Sequence, residues 1–234
     1  AANGAVIITT KSGSAGERSV SFSAYTGIQQ TPRTIDMLEG PEYAALRNEA
    51  TLNAGQAPTF TSPSAYLGPE GSTDYQDLVF ERGITQNYSL AVSGGTEDLT
   101  YRISSGYFEE GGIIDKSSLE RLNARVNTEF EVNDLLTVGE NLTFERRTRS
   151  TISESDNVRN LLIQTLQVDP TVPARDSAGN FTAQPRTNAN NPLAALDFRN
   201  NEYNENRLVG NVFAELSFLP SLRVRSQLGF DLRN

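Results

Sequence analysis

The chain has 234 residues, 37% apolar and 8% aromatic, with 29 acidic against 20 basic side chains and a net charge of −9. It contains no Cys and no His, which excludes disulfides and thiolate metal sites and removes the usual proton carrier of acid–base catalysis. The acidity and the lack of a basic stripe speak against nucleic acid as a partner, and no run of eighteen apolar residues provides a membrane helix, although β-strand spans carry a weaker signal and stay open.

The opening stretch, "AANGAVIITTKSG", reads as a strand running into a Gly-rich turn at Ser12–Gly13–Ser14. "RSVSFSAYTGIQ" then alternates Val20, Phe22, Ala24, Thr26 and Ile28 against Ser19, Ser21, Ser23, Tyr25 and Gly27, the period of a half-buried strand. A long excursion follows, to about Gly83. Within it "GPEYAALRNEATLNAG" predicts a helix with Pro41 at its first position and Gly55 as its stop. "TDYQDLVFERG" predicts a second helix behind a Thr73-x-x-Gln76 capping box.

"ITQNYSLAVS" and "LTYRISSGYF" are the next two strands, joined by a short "GGTED". "EEGGIIDKSS" at 109–118 leads to "LERLNARVNTEFEV", where Leu122, Ala124, Val126, Thr128, Phe130 and Val132 take one face. A tight "VNDL" turn precedes "LLTVGENLTFERR". A second excursion runs from about Thr148 to Asn206, and its "NVRNLLIQTLQVDP" is helical until Pro170. "RLVGNVFAELSF", a tight "FLPS" and "SLRVRSQLGFDL" complete about seven strands, and the chain stops inside the last pattern.

Several strands exceed the usual ~5–6 residues and approach the ~9–11 of a tilted membrane strand. Every second connection is minimal and the others are long, the rhythm of periplasmic turns and extracellular loops in an outer-membrane barrel. Helices in such loops imply an ordered extracellular cap. Register is consistent with one continuous apolar face. Opposing Val132 with Leu136 brings Val126 to Leu142 and Ala124 to Phe144, and the parity switch at "GGTED" is what an even-length turn demands. Aromatics on this face cluster at the strand ends, Phe130 and Phe218 by short turns and Tyr88, Tyr107, Phe144 and Phe230 toward long loops, as in interfacial girdles. The other face carries Arg121, Arg125, Glu129, Glu145, Glu215 and Arg225 among its charges, with Glu215 expected across from Arg223 or Arg225. A hydrated lumen accepts these and lipid does not. Glu140 falls on the apolar side.

The wording of these segments resembles the SusC/RagA-type TonB-dependent outer-membrane receptors. "AANGAVIITTKSG" is similar to the end of that family's plug domain, "DMLEGPEYAALRNEA" to its first-loop helix, and "TDYQDLVFERGITQNYSLAVSGGTEDLTYRISSGYFEEGGII" to its second and third strands, with Tyr75 where Trp is common. "RLNARVNTEFEVNDLLTVGENLTF" continues the match, which is close over the first two-thirds of the chain and topological after Ser150. The resemblance implies an all-β fold: an unclosed antiparallel transmembrane β-barrel segment with short helices in long extracellular loops. Residues 1–13 would end the plug and residues 14–234 would begin a barrel of about 22 strands, as an internal piece of a longer receptor.

The implied activity is import of an oligosaccharide or peptide across the outer membrane, without covalent chemistry, energised by TonB acting through a missing N-terminal part. The implied partners are TonB, a SusD-like surface lipoprotein lid and outer-membrane lipid. Asn3, Gly4, Thr9, Thr10 and Lys11 carry the plug-to-barrel signature, in structural roles. Tyr66, Tyr75 and Tyr203 are candidate substrate or partner contacts, since aromatic faces stack on sugars, beside the plainer role of packing the loops. Asp74 with Asp77, and Glu109 with Glu110, fall short of the ligand count of a Ca²⁺ site, so no cofactor is expected. Two other readings stand beside the importer: a soluble secreted β-sandwich that binds carbohydrate, and a barrel enzyme, against which the lack of His weighs.

Overall fold

A computed structural model of the chain describes residues 11–16, 18–67, 71–152, 160–198, 201–219 and 221–234. Its frame is one antiparallel sheet whose spatial order is the chain order: β1 (Ser19–Gln29), β2 (Gly83–Gly95), β3 (Leu99–Gly111), β4 (Ser118–Asn133), β5 (Leu136–Ser150), β6 (Glu202–Leu219) and β7 (Leu222–Arg233). Each pair is a hairpin, so the register follows from the alternation and the turns alone. No second sheet packs on it among the described residues, which sets aside the β-sandwich expectation.

The apolar face crosses all seven strands without a break. One rung runs Phe22–Leu90–Ser105–Ala124–Phe144–Leu208–Leu232, and another Val20–Val92–Ile103–Val126–Leu142–Gly210–Phe230. Phe22, Ile103, Val212 and Leu228 are exposed on it rather than buried between layers. On β3 the face runs from Leu99 to Tyr107 before Glu109 begins the polar rim. Eight steps of about 3.3 Å tilted by about 40° give about 20 Å. Phe130, paired with Leu99, and Tyr107 mark its two ends, and the height approaches the ~25 Å band of an outer-membrane barrel. Glu140 stays on this face, between Thr128 and Val212.

The β4–β5 turn departs from the expected pairing of Val132 with Leu136. The ladder skips after Glu131–Thr137, and Asn133 pairs with Leu136 instead. The cause is local: Asn133 Oδ1 accepts hydrogen bonds from Leu135 N and Leu136 N, at 2.9 and 3.0 Å, an Asx turn that tightens the hairpin and ejects Val132 from the ladder. The strands also run farther toward the long loops than the alternation indicates, so the third loop spans 151–201 rather than 148–206. Beyond the apolar band the backbone ladder continues with no need for alternating side chains.

The two long connections and the shorter one between β3 and β4 gather at the other end of the strands. The first contains α1 (Gly40–Asn53), a 3₁₀ turn at Pro63–Tyr66 and α2 (Tyr75–Val79), and the third contains α3 (Leu161–Gln167) and α4 (Pro192–Phe198). Val79, Leu161 and Leu196 form one apolar cluster, joined by Ile114 of the short middle loop, and Tyr75, Val168, Ala174 and Ala189 form another. The loops therefore share a core and make one cap.

Helix α1 follows the sequence signals, with Gly55 beyond its end at φ 71°, a left-handed stop that glycine adopts without strain. Helix α2 does not use the expected Thr73–Gln76 capping box. Asp74 is its cap, accepting from Gln76 N and Asp77 N. The Gln76 amide instead clamps the backbone of Ile35, accepting from its N–H and donating to its carbonyl, while Thr73 N donates to Pro170 O. The segment forms no ladder of its own there, and the one amide meets both backbone groups of Ile35. Helix α4 has no counterpart among the predicted elements. Its signal was local and legible: Asn191 Oδ1 accepts from Leu193 N and Ala194 N, the capping position just before a proline at the first helical turn.

Candidate functional site

The inward face of the sheet is polar because its residues alternate with the apolar ones. Several of its charges stand in ion pairs. Glu215 lies opposite Arg225 in the ladder and approaches Arg225 at 3.6 Å and Arg223 at 3.8 Å, as the hairpin register predicts. Arg207 holds Asp231 through two hydrogen bonds of 2.9 and 2.6 Å, the fork geometry that arginine gives a carboxylate. The Arg225 guanidinium also stacks 3.7 Å from the Phe213 ring centroid, and Phe213 lies over Gly139. A Cβ on Gly139 would sit 2.5 Å from Phe213 Cζ and 2.7 Å from Thr128 O, so a residue with no side chain is required for that ring to lie flat.

Halfway along β4 to β6 an asparagine rung, Asn127–Asn141–Asn211, crosses this face. Asn141 donates to Asn211 Oδ1 at 3.2 Å, and the Nδ2 of Asn127 donates to the carbonyl of Lys11 at 3.0 Å. The segment before β1 is thereby seated on the inner side of the sheet. It is held again where Gly16 N donates to Gly95 O at 3.2 Å. Between the two points Gly13 passes so near the wall that a Cβ would lie 2.7 Å from Tyr101 N and 2.8 Å from Gly94 O. Lys11 is the described member of the plug-to-barrel signature. Asn3, Gly4, Thr9 and Thr10 lie outside the described residues.

At the cap, a cleft of about 650 Å³ opens between the 34–39 segment, α1, the start of α2 and the end of α3. Ile35, Met37 and Leu38 give it an apolar side, and Asp36, Glu39 and Asp74 an acidic one. Tyr75 forms part of its wall and leads into a buried network. The Tyr75 hydroxyl donates to Val172 O at 2.9 Å and accepts from Gln184 Nε2 at 2.8 Å. Gln184 Oε1 in turn accepts from Asp169 N. The Asp169 carboxylate, 0% exposed, binds Arg186 at 2.5 Å and the hydroxyl and amide of Thr171. Arg186 reaches Thr171 Oγ1 and stacks over Phe60 at 4.7 Å. Burial pushes the Tyr75 hydroxyl up to about 12, with the nearby Asp169 charge adding and the Gln184 hydrogen bond opposing. The network ties the first loop to the third.

The three candidate contact tyrosines do not converge. Tyr75 is 3% exposed and belongs to the cap core. Tyr66 packs edge-on against Phe60 with centroids 5.4 Å apart. Tyr203 stands exposed at the outer end of β6, under Arg149 at 5.8 Å. Three of the four carboxylates considered for Ca²⁺ have other duties: Asp74 caps α2, Glu109 accepts from Tyr107 and Glu110 from Gln29. The Asp169–Arg186 network went unread in the sequence because its members are far apart and its loops carry no repeat.

No protein-family model matches the chain. In sequence it is 30% identical over 252 aligned residues to the TonB-dependent receptor SusC of Bacteroides thetaiotaomicron, an alignment covering 98% of this chain and 24% of that receptor. It is 25% identical to TonB-dependent receptor P3 of Formosa agariphila, over 100% of this chain and 23% of that one. The chain belongs with the SusC-type TonB-dependent receptors. This receptor segment spans about a quarter of the length of those relatives. Its fold is that of the RagAB peptide importer in the open-open state, at TM-score 0.74 and 20% identity over 96% of this chain and 28% of that one. The closed-closed state of the same importer matches at TM-score 0.72.

Proposed function

We propose that this chain is part of a TonB-dependent receptor that imports an oligosaccharide or peptide across the outer membrane, working with a SusD-like surface lipoprotein as its lid. Residues 1–13 end the plug, and residues 14–234 form the first strands of the barrel wall. The observation that carries this reading is the continuous apolar face across all seven strands, opposite a polar face that carries the charges. An outer face that dissolves in lipid and an inner one that dissolves in water suit a wall between a membrane and a hydrated pore. No helix among the described residues is long and apolar enough to cross a membrane, so spanning falls to the strands. The relatives named as TonB-dependent receptors support the energy source, and the peptide importer of the same fold supports cargo of oligomer size.

The cap built from three loops, the acidic cleft within it and the seating of Lys11 on Asn127 fit a receptor that holds solute outside while its plug is worked from within. The test is uptake by cells expressing the full-length receptor on mixed oligosaccharides or peptides as sole nutrient. Growth should require the receptor, TonB and the partner lipoprotein together. Growth unaffected by loss of TonB refutes the importer.

A further inference from the structure

The outward positions of β5 run Leu136, Val138, Glu140, Leu142 and Phe144 before Arg146 begins the rim. Glu140 is the middle of that run. Four steps of about 3.3 Å, tilted by about 40°, put it about 10 Å from either end. The flanking strands agree: Thr128 opposite it lies between Val126 and Phe130, and Val212 on its other side lies between Gly210 and Ala214. Between the girdles, no other outward position of the seven strands carries a charge.

The ordinary ways of accommodating such a residue are closed. The ladder is regular from Glu131–Thr137 to Ser118–Ser150, so no bulge turns Glu140 inward. Snorkelling serves long side chains, and a glutamate falls well short of either edge of the band. Arg146, the cation of that face on the same strand, is six residues away, about 20 Å. Glu140 makes no ion pair or hydrogen bond among the described residues. Its one polar neighbour on the face is the Thr128 hydroxyl across the rung, and a carboxyl has about four lone-pair sites to fill. In hydrocarbon such an unmet group is costly, and an ionisable residue there marks a site with a partner.

We propose that this patch of wall is where two copies of the receptor meet within the membrane, with the twofold axis between β4 and β5 at the height of Glu140. This rests on the reading of the sheet as a membrane wall. The patch is complementary to itself. Both copies stand the same way up in the bilayer, so the axis relating them runs along the membrane normal, keeps height and exchanges left for right. Glu140 of one copy then faces Thr128 of the second, and Thr128 of the first faces Glu140 of the second. Neighbouring strands lie about 4.8 Å apart, and at a tilt of about 40° the two residues differ in height by about 3 Å, within the reach of both side chains. Each Thr128 hydroxyl donates to a carboxyl oxygen across the axis. Val126 and Leu142 above, and Phe130 and Val138 below, surround the pair, a polar centre in an apolar ring that excludes competing partners. A cationic partner would answer Glu140 alone; a second copy answers both residues at once.

The test is light scattering on the purified full-length receptor in mild detergent over a dilution series, with thiol crosslinking in intact outer membranes. Wild type should be a dimer. Glu140→Leu should raise the dissociation constant by about tenfold or more, because two symmetry-related bonds go at once, and should make the separated barrel more resistant to urea, since leucine suits lipid. Thr128→Val should weaken the dimer in the same direction. In a background without other cysteines, Thr128→Cys should be joined to its copy by a short bis-maleimide, and Phe22→Cys, on the outer face of β1, should not. A wild type that is monomeric throughout, a dissociation constant within twofold of wild type in Glu140→Leu, or equal crosslinking at the two positions overturns the inference. So does a Glu140→Leu receptor whose only change is a less stable barrel, since that assigns the carboxyl to the fold. A monomeric wild type that loses a co-purifying protein in Glu140→Leu overturns it as well, in favour of that protein. If Glu140→Leu does not fold, the crosslinking decides, and its absence at Thr128→Cys overturns the inference. Neither TonB nor solute enters these measurements, so a monomer leaves the uptake experiment untouched and a failed uptake leaves the dimer untouched.

Discussion

Sidedness is tested most sharply by two adjacent positions on β7. Leu228 faces outward, opposite Val212, and is 69% exposed on this segment, while Gln227 faces inward opposite Phe213. Six residues of strand separate Leu228 from Leu222 at the short turn. At about 3.3 Å per residue and about 40° of tilt, that is about 15 Å of height, half of a hydrocarbon core about 30 Å thick. Leu228→Arg therefore places a guanidinium near the bilayer midplane, where such a charge costs a barrel about 2–4 kcal/mol, roughly a thirty- to several-hundred-fold shift toward the unfolded state. Gln227→Arg adds the same charge to a hydrated face and should cost under about 0.5 kcal/mol. The assay is urea unfolding of the full-length receptor in lipid vesicles, followed by the gel mobility that separates folded from unfolded barrels. Equal losses, or a worse loss for Gln227→Arg, would refute the assignment of faces.

Other outcomes follow from the cap and the wall. Tyr75→Phe removes the donor to Val172 O and the acceptor of Gln184 inside the cap, and should loosen it by about 1–3 kcal/mol, read as faster hydrogen exchange in α2 and around Val172. The raised Tyr75 value, about 12 against an ordinary 10.0, sets a sign: its stabilisation is complete below pH 10 and is lost as the pH rises toward 12, since the unfolded hydroxyl ionises first. Wild type should therefore lose cap protection across that window, and Tyr75→Phe should not show this extra loss. Asp169→Asn leaves the Arg186 charge without its buried partner and should cost about 2–4 kcal/mol, less than a fully enclosed pair because Arg186 is partly exposed. Cleavage of the third loop by protease would report it. Gly139→Ala drives a methyl into the Phe213 ring and should cost about 1–3 kcal/mol; the penalty should shrink in a Phe213→Ala background, and additive losses would count against the stacked arrangement.

The strands and their pairing were legible from the chain alone because hairpin sheets are governed by neighbours in sequence. Alternation sets which side chains share a face, and turn length sets which residues meet, so Val126–Leu142 and Glu215–Arg225 could be read without coordinates. Local chemistry decided the exceptions. Asn133 overrode the apolar register at one turn, and Asp74 displaced Thr73 as the cap of α2. Both residues were visible, but the competition between two nearby caps is settled by a difference smaller than propensities resolve.

The cap is another matter. Helix signals in the long loops announced that they were ordered, yet the bond from Gln184 to Tyr75 joins residues 109 positions apart. The burial of Asp169 against Arg186 and the meeting of Val79, Leu161 and Leu196 are likewise long-range. The same holds inside the wall. Arg121, Arg125 and Arg225 could be placed on the inner face by parity, but which of them has a carboxylate beside it depends on side chains of the adjoining strands. The sequence by itself determined the sheet, its order and its two faces, since these rest on periodicity and short turns. Only the tertiary structure decided the cap and the seat of Lys11, since these depend on side chains that meet after the chain has closed long loops.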